Sequence, residues 1–168
     1  MALKKTSEVI TISSSISESA VNTFTQEKID LQLNPLDQEV FVVLAVDLNP
    51  STPALVPGAT TETRGSLSTT SRASIGDIGD SNVIAEASLA VIADPAGTAA
   101  VGFTRMPNEA PLAQLDYIGI IATNDFFLQI KGANNLNPRS MNARMWGYRA
   151  KADAATYAAL TQSEILSS

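Results

Sequence analysis

The feature that most constrains this chain is a hydrophobic alternation with a period of two, which returns in segment after segment between Val9 and Lys151. Successive side chains of a strand point to opposite faces, so this spacing describes half-buried strands and does not fit the 3.6-residue stripe of an amphipathic helix. Ile10, Ile12 and Ile16 fall on one face while Thr11, Ser13 and Ser15 fall on the other. Ile29, Leu31 and Leu33 alternate with Asp30 and Gln32, and Asn34-Pro35 closes that run as a turn. Val40 to Leu48 is different: a nearly continuous apolar run rich in β-branched residues, which suits a central strand covered on both faces.

Turn residues divide the remainder into short segments. Asn49 to Gly58 holds three prolines in eight residues and is a loop. Thr60 to Arg72, rich in Thr and Ser, is expected to be an exposed strand interrupted at Gly65, and Gly76 to Asn82 a turn. Val83 to Ala93 mixes helix and strand formers and is read as strand from its neighbours; Asp94 to Gly97 then turns the chain into a partner strand, Thr98 to Arg105. After a loop at Pro107 to Pro111, the apolar runs Leu115 to Ala122 and Phe126 to Lys131, separated by Thr123-Asn124-Asp125, are expected to pair as a tight hairpin. Met141 to Lys151 alternates again, and Asp153 is placed to cap a short Ala-rich helix from Ala154 to about Ile165. About eight strands and one terminal helix imply a mainly β fold, an antiparallel β-sandwich of the jelly-roll kind, in a single domain spanning 1–168.

Composition narrows the function classes. The 168 residues suffice for one good core, and only 17% are charged, so Ser, Thr, Asn, Gln and Ala must cover the surface. Such a surface costs less to desolvate than one rich in Lys and Glu, which favours extended contacts with partners. Eleven basic against 17 acidic residues give a net charge of -6. Strong direct nucleic-acid binding is therefore not expected, since phosphate neutralisation supplies most of that affinity. There is no cysteine and no histidine, which removes disulfides, thiolate zinc sites and imidazole catalysis. Lys4-Lys5 is followed by Thr6-Ser7-Glu8 where an export signal would need an apolar stretch, and Val40 to Val46 is too short for a transmembrane segment.

No catalytic, cofactor-binding or metal residues are assigned. Lys28, Lys131 and Lys151 could serve as bases but lack a Ser-x-x-Lys spacing. Nothing in the spacing of Asp116, Asp125, Glu86 and Glu109 selects a glycosidase-like carboxylate pair. Asp77, Asp80 and Asn82 offer three oxygens to a cation but lack the EF-hand pattern, so a plain turn competes with a cation site there. The densest interaction chemistry is Arg144, Trp146, Tyr148 and Arg149, a candidate subunit interface. Strand alternation would put Arg144, Trp146 and Tyr148 on one side; the competing reading has Trp146 plugging the core.

The stretch from Phe126 to Pro138, continuing through Trp146 to Asp153, resembles structural proteins encoded by environmental, especially marine, phages. The low charge, Pro-rich loops and Ala-rich end of the whole chain look like the small single jelly-roll coat proteins of tailless icosahedral viruses. The close part of this likeness covers the C-terminal quarter. It implies a major coat protein that self-assembles into a capsid shell, made in the host cytoplasm and located in the virion, with copies of itself and other virion proteins as partners and no cofactor. It also implies arm-like ends at 1–7 and 153–168 that tie neighbours together. The basic N-terminal arm of many coat proteins is missing here. A carbohydrate- or surface-binding β-sandwich and a tail, fibre or pilus subunit are the rival readings.

Overall fold

A computed structural model describes residues 3–105 and 115–167. Among these residues there are ten strands: β1 (Leu3–Lys5), β2 (Ile10–Ser17), β3 (Thr25–Asp30), β4 (Glu39–Pro50), β5 (Thr61–Ser68), β6 (Val83–Ala93), β7 (Ala100–Arg105), β8 (Gly119–Ile121), β9 (Asp125–Ala133) and β10 (Ser140–Ala152). One helix, α1 (Ala154–Leu166), follows. The strands form two five-stranded antiparallel sheets, one ordered β1-β10-β4-β8 with β2 also on β10, the other β3-β9-β5-β6-β7. The fold is a mainly β sandwich with a C-terminal helix, as the alternation implied. Among the described residues, no helix is long and apolar enough to cross a membrane.

The pairings nest. β2 pairs β10, β3 pairs β9, β4 pairs β8 and β5 pairs β6, which is the pattern of one long hairpin folded at β5–β6. Rolling that hairpin up brings β10 against β4 and β9 against β5, and produces the jelly roll. β1 continues the line of β2 along the same edge of β10, pairing Leu3 with Ala152 and Lys5 with Ala150.

A β-bulge explains the double-sided burial of the central run. Trp146 is opposite Ala45 but Gly147 is opposite Val43, so Leu44 is the extra residue and the facing of β4 inverts there. Phe41 and Val43 before the bulge, and Val46 and Leu48 after it, consequently all enter the core between the sheets, with Met141 and Met145 of β10. Val40 and Val42 face outwards into a second cluster with Ala150 and Ala152, which Tyr157 and Leu160 of α1 cover. Asp153 caps this helix, its carboxylate accepting from the Thr156 amide at 2.8 Å.

Two expectations need correction. Leu115 to Ala122 and Phe126 to Lys131 do not form a hairpin: β8 pairs β4 in one sheet, whereas β9 lies in the other. Thr123-Asn124 lacks a glycine for a two-residue hairpin turn and makes a corner between the sheets instead. The Thr/Ser-rich segment is not an exposed, interrupted strand, since β5 runs unbroken through Gly65 between β6 and β9, with Thr61, Thr63, Ser66 and Ser68 buried. A Cβ at Gly65 would overlap the Met141 sulfur of the opposite sheet, so a side chain there would require the flexible end of Met141 to move. At the two ends, Leu3–Lys5 form β1 and Ala154–Leu166 form α1. The loop expected at Pro107 to Pro111 lies outside the described residues.

Gly147 tests the bulge. A Cβ there would collide with the Val42 carbonyl oxygen and the Phe41 ring. Gly147→Ala is expected to lower stability by roughly 3 kcal/mol, whereas Gly79→Ala, where a Cβ meets nothing within 4 Å, should stay within about 0.5 kcal/mol of wild type in urea unfolding.

Candidate functional site

The four residues expected to form one interface are divided by the fold. Arg144 and Trp146 project from the open outer face of β10, with the Arg144 guanidinium 5.8 Å from the Trp146 ring centroid. Trp146 is half-buried on that face and belongs to neither core cluster. Tyr148, next on the same face, packs into the cluster under α1 and carries Lys5 over its ring at 5.1 Å. Arg149 points the other way and binds the chain itself: its guanidinium donates to the Leu31 carbonyl at 2.7 Å, the Gln32 carbonyl at 3.0 Å and Glu39 at 3.1 Å. Arg149 thus ties the end of one sheet to the segment leaving β3 in the other.

The oxygens of the Gly76–Asn82 turn are taken up by arginines. Arg72 donates to Asp80 at 2.7 Å and to Asn82 at 2.6 Å, while Arg64 holds both Asp77 and, at 2.8 Å, Glu86. Two guanidinium groups stand where a cation would have to sit. The candidate carboxylates are dispersed: Asp125 faces Lys28 at 3.6 Å, Glu86 is buried on Arg64, Asp116 is exposed ahead of β8, and Glu109 lies outside the described residues. Lys28 also meets Asp30, and hydrogen bonding to Asp30 raises its pKa further above 10.5, which keeps the ammonium protonated. Lys151 is paired with Asp37 at 2.8 Å, and that contact lowers the Asp37 pKa below 3.8.

Sequence reasoning missed the buried polar clusters. Beneath the loop after β5, Gln129 of β9 accepts from Ser66 at 2.8 Å and donates to Ser68 at 2.7 Å and Gln26 at 3.1 Å. At the opposite end of the sandwich Glu18 accepts the amides of Gly132 at 2.6 Å and Arg139 at 2.8 Å. Asn135 there joins Asn22, the Ala54 amide and the Glu62 carbonyl. The local pattern of each residue looked like ordinary surface; only the pairing of distant segments buries it.

Glu164, the one carboxylate of α1, accepts the amides of Ala122 at 2.8 Å and Thr123 at 2.9 Å and so fixes the helix to the corner between the sheets. Burial raises its pKa above 4.5, only partly opposed by those two amides. A raised carboxyl pKa means that its contribution to folding is fully present in acid and is lost as pH rises through the folded pKa. Glu164→Gln is therefore expected to flatten the fall in wild-type stability above the ordinary glutamate range, measured as urea midpoints across pH.

Two surfaces remain for outside partners. The first is the edge strand β7. Val101 is opposite Ile92 and Phe103 opposite Ala90, and Ile92, Val101 and Phe103 are 47%, 58% and 55% exposed. They form an apolar strip on the outer face beside a strand that, among the described residues, pairs only with β6. The second is an open groove of about 540 Å³ on the outer face of the other sheet, lined by Ser13, Ser15, Asp47, Asn49, Asn142 and Arg144.

The strand order defines a jelly-roll β-sandwich in which, among the described residues, β7 is an edge strand of the second sheet. No family model matches the sequence, and no curated protein sequence matches it. Among solved structures, a chain of Desmodium yellow mottle tymovirus is similar over 88% of this chain and 91% of that one, at 10% identity and a TM-score of 0.31. At that TM-score the likeness carries no argument, and the assignment of the fold rests on the pairing of the strands.

Proposed function

We propose that this chain is a structural subunit that assembles with copies of itself into a viral coat, without chemistry of its own. The observation that carries this reading is the β7 edge. Monomeric β proteins blunt their edges with lysine, proline, bulges or a covering element. β7 (Ala100–Arg105) contains no proline, its one charged residue is the terminal Arg105, and Val101 and Phe103 are exposed on its outer face. An edge of this kind suits pairing with an equivalent molecule, through main-chain hydrogen bonds and burial of Val101 and Phe103.

Several features agree with this assignment. The jelly roll gives a rigid wall element, and the low surface charge makes repeated contacts inexpensive to desolvate. The terminal segments can tie neighbours: pairing of Leu3–Lys5 with Ala150–Ala152, made here within one chain, can equally be made between two by exchange of the strand. The net charge of -6 argues against genome condensation by this subunit alone.

Size-exclusion chromatography with negative-stain microscopy tests the proposal. The wild-type chain should form closed particles. Val101→Lys with Phe103→Glu should remain near the monomer mass of 17.7 kDa with an unchanged unfolding midpoint. Rods would point to a fibre or pilus subunit, and a wild-type monomer at high concentration would overturn self-assembly altogether.

A further inference from the structure

We propose that the open half of the β2-β10-β4 outer face is a binding site for a neutral saccharide. The register builds it row by row. Arg144 lies between Ser13 and Asp47, Asn142 between Ser15 and Asn49, and Trp146 between Thr11 and Ala45. The other half of this sheet face is apolar and closed by α1, whereas this half is polar and uncovered. Its volume of about 540 Å³ falls within the range of roughly 300–1,000 Å³ usual for small-ligand sites.

The state of the side chains separates this face from the other polar clusters. In the other polar clusters described above the groups satisfy one another: Arg149 on carbonyls, Arg72 on the loop, Glu18 on two amides, Gln129 on serines. On this face Asp47, Asn49, Asn142 and Ser15 make no side-chain hydrogen bond or ion pair with any described residue. Arg144 makes one long bond, to the Ser13 hydroxyl at 3.3 Å, and forms no ion pair with Asp47 although the two are direct partners across the ladder.

A carboxylate that only accepts, a guanidinium that only donates, and amides and hydroxyls that do both are thus held on adjacent strands. That combination matches a ligand whose every hydroxyl both gives and takes a hydrogen bond. Arg144 and Asp47 cancel in charge, which disfavours a phosphate backbone or a sulfated chain. Trp146 neighbours Arg144 on the same face, beyond the residues that line the groove, with the Arg144 guanidinium 5.8 Å from its ring centroid.

Trp146 is the single tryptophan of the chain, so its emission reports on this site and nowhere else. The full chain is titrated with neutral gluco-, manno-, galacto- and N-acetylglucosamine oligosaccharides, with heparin and a single-stranded oligonucleotide as anionic probes. The expected result is a saturable emission change with at least one neutral series and none with the anions. Asp47→Ala and Asn142→Ala should each weaken it at least tenfold without moving the unfolding midpoint. Silence with every neutral sugar up to about 10 mM overturns the proposal. So does a response confined to the anions, or one that both variants retain. Monomer and particle should respond alike, so the result is independent of the coat assignment.

Discussion

The pairing of the two ends of the chain supports everything else in this molecule. β10 lies between β2 and β4, and its thirteen residues give the first sheet its length, its bulge and both of its apolar clusters. Among the described residues, only the β5–β6 and β6–β7 ladders join strands consecutive along the chain. The remaining ladders join segments far apart in sequence, so loop-closure entropy is met before these contacts repay it. Burial of Phe41, Leu48, Phe126, Leu128, Met141 and Met145 between the sheets supplies the compensating driving force.

Polar side chains act in this fold as internal fasteners at the places where ladders end. Glu18, Asn135 and Glu164 each accept or donate to main-chain groups at a corner or loop, where strand pairing cannot satisfy them. Arg149, Arg64 and Arg72 do the same work with charge. A chain with few charged residues therefore uses much of its charge internally, which leaves long stretches of its exterior neutral and gives Arg144 and Asp47 their separate character.

Much of the architecture was legible residue by residue. The alternation located β2 and β10 closely, the continuous apolar run marked β4, Asp94 to Gly97 marked the β6–β7 turn, and Asp153 announced the cap of α1. Failures came where a local pattern has two tertiary outcomes. Two apolar runs separated by three residues read as a hairpin, but the same spacing serves a corner between sheets. Ser66 and Ser68 on β5 looked exposed because nothing local shows that Gln129 and the following loop cover them. Of the expected interface, Arg144 and Trp146 share an open face, while adjacency in sequence placed Arg149 on the opposite side of the strand.

What the sequence determined by itself was periodicity and punctuation: which segments are strands, where they turn, and that no thiol or imidazole chemistry is available. Those properties depend on neighbours one to four residues away. Only the tertiary structure decided which strands pair, which polar residues are interior, and where a surface is left with unsatisfied chemistry. Such outcomes depend on contacts between distant segments, as at the bulge opposite Gly147, where one extra residue in β4 redirects every side chain after it.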